Sequence, residues 1–158
     1  MKKTFALVLA ISLLIIILSA CTEPEDKVIS SIGEYKNHEY YSEGEFQDFT
    51  DYAKYYYDSA DFTDNKYFSK IQQSDINALN EHLDDFESRI STYRENDITC
   101  EIVVHYDFDR CFIDYEDYLY IYSEQGDPWE DGNIVLYNYD IYFFDTQSNT
   151  LYYFHNNI

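Results

Sequence analysis

An α+β domain is predicted, with two amphipathic helices packed on one face of an antiparallel four-stranded β-meander. Three observations carry this expectation. In the first half, two stretches repeat apolar residues at steps of three and four. From Ile98 onward the apolar period is two, and breaks rich in Gly, Pro, Asn and Ser separate the alternating runs. Helices followed by a run of strands favour a layered arrangement in which the helices share one sheet face.

The chain begins ahead of that domain with Met1-Lys2-Lys3, and Phe5 to Leu18 is apolar apart from Ser12. This run falls short of the ~20 apolar residues that a spanning helix needs. A basic start, an apolar middle and small residues before a cut form a secretory signal. Leu18-Ser19-Ala20-Cys21 resembles the lipobox of bacterial lipoproteins. The resemblance implies diacylglycerol transfer to the Cys21 thiol, cleavage before it, and a membrane anchor at the new N-terminus. An uncleaved N-terminal anchor is the alternative, and both place the domain outside the cytoplasmic membrane. Residues 1–20 are then the signal, 21–35 the lipidated cysteine with a flexible tether, and 36–158 an acidic, Tyr-rich domain. The bias toward Lys, Ile, Asn and Tyr fits a low-GC, Gram-positive host.

The first helix is expected from Ser42, an N-cap whose capping box is completed by Glu45. Tyr41 and Phe46 would staple it, and Phe46, Phe49, Ala53, Tyr56 and Ala60 form its stripe. The second starts near Ser74, with Asp75 at the positive end of the dipole and Ile76, Leu79, Leu83, Phe86 and Ile90 on one face. Residues 95–97 end it. Alternation then gives a strand with Ile102, Val104, Tyr106 and Phe108 on one side, and a second through Tyr118 to Tyr122. Ser123 to Asn133 reads as a loop. Ile134 to Asp145 and Thr150 to Asn156 read as a hairpin joined by Thr146-Gln147-Ser148-Asn149.

Pairing Asp145 with Thr150 sets Phe143 opposite Tyr152 and Ile141 opposite Phe154. Tyr139, Ile141, Phe143, Tyr152 and Phe154 then form the helix-covered face. The other face carries Asn138, Asp140, Tyr142, Phe144, Leu151, Tyr153 and His155. It is too aromatic for a solvated face and too polar for a second core. Asp140, Tyr142, Tyr153 and His155 are therefore the candidate binding residues. Trp129, Tyr142 and Tyr153 offer rings to a sugar or peptide, unless the tether, the segment from Asp61 to Gln73, or a second copy covers them.

Charge narrows the partners. The chain carries a formal charge of −21, and loss of Lys2 and Lys3 with the signal leaves −23. Nucleic acid is excluded as a partner, because its binders need a basic footprint. Cations and basic peptides or proteins are attracted. With 19 Tyr, 11 Phe and one Trp, the chain is too aromatic to be disordered. A small core ringed by tyrosines is expected.

Cys100 and Cys111 remain once Cys21 is lipidated, and they form either a disulfide or two free thiols. Asp107, Asp109, Asp114, Glu116 and Asp117 cluster but lack the ligand spacing of a calcium loop. His105, Asp107 and His155 are a weak zinc set, and no metal or cofactor is expected. No G-x-S-x-G, phosphate loop or H-E-x-x-H is present. The expected role is a non-catalytic envelope lipoprotein that binds a protein, peptide or wall component. The alternatives are an immunity-type lipoprotein sequestering a cationic peptide, and a small extracellular hydrolase.

Overall fold

The computed structural model describes residues 26–45, 48–128 and 134–157. Its framework is one six-stranded antiparallel sheet with the order β1-β2-β6-β5-β4-β3. The strands are β1 (Tyr35–Glu45), β2 (Asp48–Tyr57), β3 (Ser69–Lys70), β4 (Tyr118–Pro128), β5 (Ile134–Asp145) and β6 (Thr150–Asn157). One long helix, α1 (Gln73–Asn96), and a single short turn of helix, α2 (Glu101–His105), lie between β3 and β4. No helix among the described residues is long and apolar enough to cross a membrane.

The expected four-stranded meander under two helices is therefore corrected to six strands and one main helix. The segment read as a first helix is the β1–β2 hairpin, in which Tyr41 pairs with Tyr52 and Ser42 with Asp51. Its apolar steps of three and four arose by chance in a stretch dense in aromatics. Tyr, Phe and Thr favour a pleated, half-buried surface over a helix. Ser42 caps nothing, and Gly44 adopts φ +142°, a left-handed conformation that a helix interior excludes.

The strand expected at residues 101–108 is likewise replaced by α2. Ile102 and Val103 are both buried and Val104 is exposed, a pattern that period two cannot give. Where a loop is expected from Ser123, β4 continues to Pro128; the rest of that stretch, Trp129 included, lies outside the described residues.

The second expected helix is present as α1, with Leu79, Leu83, Phe86 and Ile90 buried. Its N-cap is Gln72, not Ser74, and the Asp75 carboxylate accepts a 2.8 Å bond from the Gln72 backbone N–H. Arg110 clamps α1 from outside through Asp84 and Glu87. The β5–β6 hairpin has the expected register, with Asp145 opposite Thr150, Phe143 opposite Tyr152 and Ile141 opposite Phe154. Its turn is fixed by the Asp145 carboxylate, which accepts from the backbone N–H of Gln147 and Ser148 and from the Ser148 hydroxyl.

Topology decides what covers each face. After β2 the chain crosses the sheet to its far edge, returns through α1 and α2, and then pairs β4, β5 and β6 back toward β2. The return path covers the inner face, where Tyr52, Tyr139, Ile141, Phe143 and Phe154 meet α1, α2 and Phe108. The outward crossing, residues 58–68, runs over the other face as a strap. Phe62, Tyr67 and Phe68 pack there with Tyr57, Phe144 and Leu151.

Part of the segment expected to serve as a tether joins that strap. Ile29–Ile32 form a 3-10 turn whose Ile29 and Ile32 are buried. Asn65 Nδ2 donates to Ser31, and Asp61 N–H donates to the Ile32 carbonyl. The outer sheet face thus has a second small core, built from Val28, Ile29 and Ile32 together with Tyr57, Phe68, Tyr142, Phe144 and Leu151.

Candidate functional site

The strap is short, so it covers only one end of the outer face. Rows of side chains cross that face in register. The row under the strap holds Tyr55, Leu151, Phe144 and Tyr118. The next holds Tyr40, Ala53, Tyr153, Tyr142 and Tyr120. The one after it holds Ser42, Asp51, His155, Asp140 and Tyr122. Strands rise about 3.4 Å per residue and sit about 4.8 Å apart. This third row is therefore a stripe of five side chains about 20 Å long, running from the edge strand β1 across β2, β6 and β5 to β4.

Of the four candidate residues, the structure unites three. Asp140 Oδ1 accepts from the Tyr153 hydroxyl at 2.8 Å and lies 2.7 Å from His155 Nδ1. One carboxylate oxygen therefore orients a phenol and an imidazole together. The Tyr153 ring stacks beside that of His155, and Phe49 tilts against the imidazole from the other side. Burial and the Asp140 charge push the Tyr153 phenol far above its ordinary range, so it remains a hydrogen-bond donor.

Tyr142, the fourth, is withdrawn. It is only 5% exposed, its ring packs on Tyr153, and its hydroxyl donates to Asp26 under the cover of the strap.

Reading residues 42–60 as a helix hid Asp51, a member of the stripe, and with it Tyr40 in the adjoining row. Asp51 sits beside His155 in mid-sheet and is 4% exposed, and its Oδ1 has no hydrogen-bond partner among the described residues. Tyr40 is 50% exposed, and burial together with hydrogen bonding to Asp51 pushes its phenol well above the usual value. Tyr122, 47% exposed, closes the far end of the row with its hydroxyl on Glu124. The alternation Asp51, Ala53, Tyr55, Tyr57 was present as a signal, but the competing helical stripe masked it.

The other candidates lie elsewhere. Cys100 and Cys111 are free thiols, not a bridge. The buried Cys100 turns toward Glu43 on β1, whereas the exposed Cys111 sits in a 3-10 turn capped by Asp109. The weak zinc set is split by the sheet. His105 stacks on Tyr41 at the inner layer, Asp107 pairs with Lys54 there, and His155 faces outward.

The acidic run between Asp107 and Asp117 is consumed locally. Asp109 caps Cys111, Asp114 binds the Glu116 N–H, and the fully buried Asp117 accepts from Asp114 and twice from Thr146. Among the described residues, no group of three or more His, Cys, Asp and Glu side chains is placed to hold a metal ion. Cys21 lies outside the described residues.

Chemically, the stripe offers carboxylates, an oriented imidazole and exposed phenol rings. No serine, threonine or cysteine side chain is hydrogen-bonded to His155 among the described residues. The arrangement suits holding a polar or charged group. Comparison with protein-family models, with curated proteins and with solved structures finds no match to this chain.

Proposed function

We propose that this chain is a lipid-anchored protein of the outer face of the cytoplasmic membrane of a Gram-positive cell, and that it acts by binding, without catalysis. Its anchor is the Cys21 thiol in the Leu18-Ser19-Ala20-Cys21 lipobox. Its ligand is a protein, a peptide or a cell-wall component.

One observation carries the binding reading. Among the described residues, Ile29, Ile32, Phe62 and Phe68 cover one end of the outer sheet face, and Tyr40, Ser42 and Tyr122 stay exposed at the polar-aromatic end. There Asp140 already holds Tyr153 and His155 in place, which lowers the ordering cost that a ligand must overcome. The net charge of −23 after loss of the signal supports selection for basic partners over anionic ones.

Two experiments test this reading. Cys21→Ala should abolish acylation and release or misprocess the protein; unchanged acylation with membrane retention contradicts the anchor. Every described element lies between Asp26 and Asn157, so the chain from Thr22 to Ile158 contains the whole described fold. Immobilised in that form, it should retain material from the host's secreted and envelope fractions that an Asp140→Asn, His155→Gln variant does not. Equal retention by both contradicts a ligand at this face.

A further inference from the structure

We infer that the open stripe is a seat for an organic cation, the ammonium or guanidinium group of a basic peptide, with Asp51 as its anchoring carboxylate. This rests on the reading of the face as a binding surface and names the chemistry that it takes.

Asp51 is the anomaly in an otherwise satisfied set of buried acids. Asp117 accepts three hydrogen bonds. Asp145 accepts from Gln147 and from both the backbone and the hydroxyl of Ser148. Asp51 is as deeply placed, yet its Oδ1 is unpartnered. Tyr40 bonds to this carboxylate, but that leaves Oδ1 unsatisfied; a buried carboxylate oxygen without a partner is costly, and proteins keep such atoms mainly where a ligand completes them.

No lysine or arginine among the described residues forms an ion pair with Asp51. Lys54, three positions along β2, points to the inner face and is held by Glu39 and Asp107. Lys36, Lys70, Arg89 and Arg110 are paired with Asp58, Glu116, Asp85 and the Asp84–Glu87 pair. Within the stripe, the His155 imidazole is already engaged by Asp140.

Asp51 and Asp140 flank His155 on neighbouring strands, so their Cα atoms are about 10 Å apart. That spacing suits a ligand with more than one basic group. The exposed rings of Tyr40 and Tyr122 stand near the two ends, and an aromatic face attracts a cation. Anionic and purely apolar ligands are disfavoured by the same two carboxylates.

The test uses the chain from Thr22 to Ile158 with a lysine-rich peptide and the same peptide with its lysines acetylated, titrated calorimetrically at low and moderate salt. The wild type should bind the first and not the second. Asp51→Asn should weaken binding at least about tenfold. Glu95→Gln, which removes the same charge from the exposed end of α1, should change it less than about twofold.

Thermal unfolding separates a binding role from a structural one. Asp51→Asn should melt at or above the wild-type temperature, because it removes a buried unpaired charge. If Asp51→Asn fails to fold, Tyr40→Ala and Tyr122→Ala replace it and should each weaken the peptide. Equal effects of Asp51→Asn and Glu95→Gln would reduce the attraction to bulk charge and overturn the inference. So would a lower melting temperature with unchanged binding. Retention of another ligand at this face without lysine-peptide binding overturns the cation seat and leaves the binding reading standing.

Discussion

The hydroxyl of Tyr142 donates a 2.8 Å hydrogen bond to Asp26 Oδ2, closing a separation of 116 residues along the chain. This bond pins the first described segment onto the outer sheet face. Tyr142→Phe should therefore lose about 1 kcal/mol of unfolding free energy. Ile32→Ala, which empties a fully buried site in the same small core, should lose about 2–5 kcal/mol. Urea unfolding of the two variants checks both. A negligible loss for Ile32→Ala would mean that the N-terminal segment does not cover the sheet.

Gly44 tests the β1–β2 hairpin. At φ +142° a Cβ there would lie 2.1 Å from the Asp48 carbonyl oxygen and 2.6 Å from Phe49 Cα, so the backbone must move. Gly44→Ala should destabilise the fold by about 2–4 kcal/mol in chemical denaturation. Tolerance of alanine would indicate that this stretch is not paired as β1 with β2.

The buried Lys54 predicts a specific pH dependence. Hydrogen bonding to Lys54 holds the Glu39 carboxyl below its ordinary 4.5. Burial opposes ionisation of Asp107, but bonds from Lys54 and Tyr52 outweigh it and hold this carboxyl below 3.8. Depressed acids contribute stability above their ordinary values, and that stability is lost as pH falls through the folded ones. The stability difference between wild type and Lys54→Met should accordingly shrink between about pH 5 and pH 3. At the alkaline end, burial lowers the Lys54 pKa but its two carboxylate partners raise it further, above 10.5. Its contribution is therefore complete below 10.5 and fades only at higher pH. A difference that stays constant across the acid range would contradict the Lys54 network.

The thiols should behave independently. In the soluble chain, Cys111 should react with a thiol reagent in the native state, and Cys100 only on unfolding. The native-state reaction of Cys111 should be slow at neutral pH, since hydrogen bonding to Asp109 raises its pKa. A reductant should leave the melting temperature unchanged; a clear drop would reveal a bridge.

Legibility in the sequence followed the strength of competing signals. The α1 stripe of Leu79, Leu83, Phe86 and Ile90 sits among good helix formers, and its period is unopposed. The β5–β6 register followed from alternation together with a turn that has one natural placement, around Thr146 to Asn149. By contrast, Phe49, Ala53 and Tyr56 fit steps of three and four as well as a strand does, and only the β-propensity of the intervening tyrosines could arbitrate.

That ambiguity carried over to the site. Asp140, Tyr153 and His155 were readable because the β5–β6 register brings them together. Asp51 and Tyr40 come from the hairpin that was misread. The withdrawal of Tyr142 depends on a contact with Asp26, which no local pattern encodes.

The most direct test of the account is amide chemical-shift mapping of the chain from Thr22 to Ile158 titrated with the lysine-rich peptide. The account predicts changes concentrated at Tyr40, Ser42, Asp51, Tyr122, Asp140 and His155, with α1 silent. Changes spread evenly over the acidic surface, or centred on α1, would contradict a binding face at the open end of the sheet.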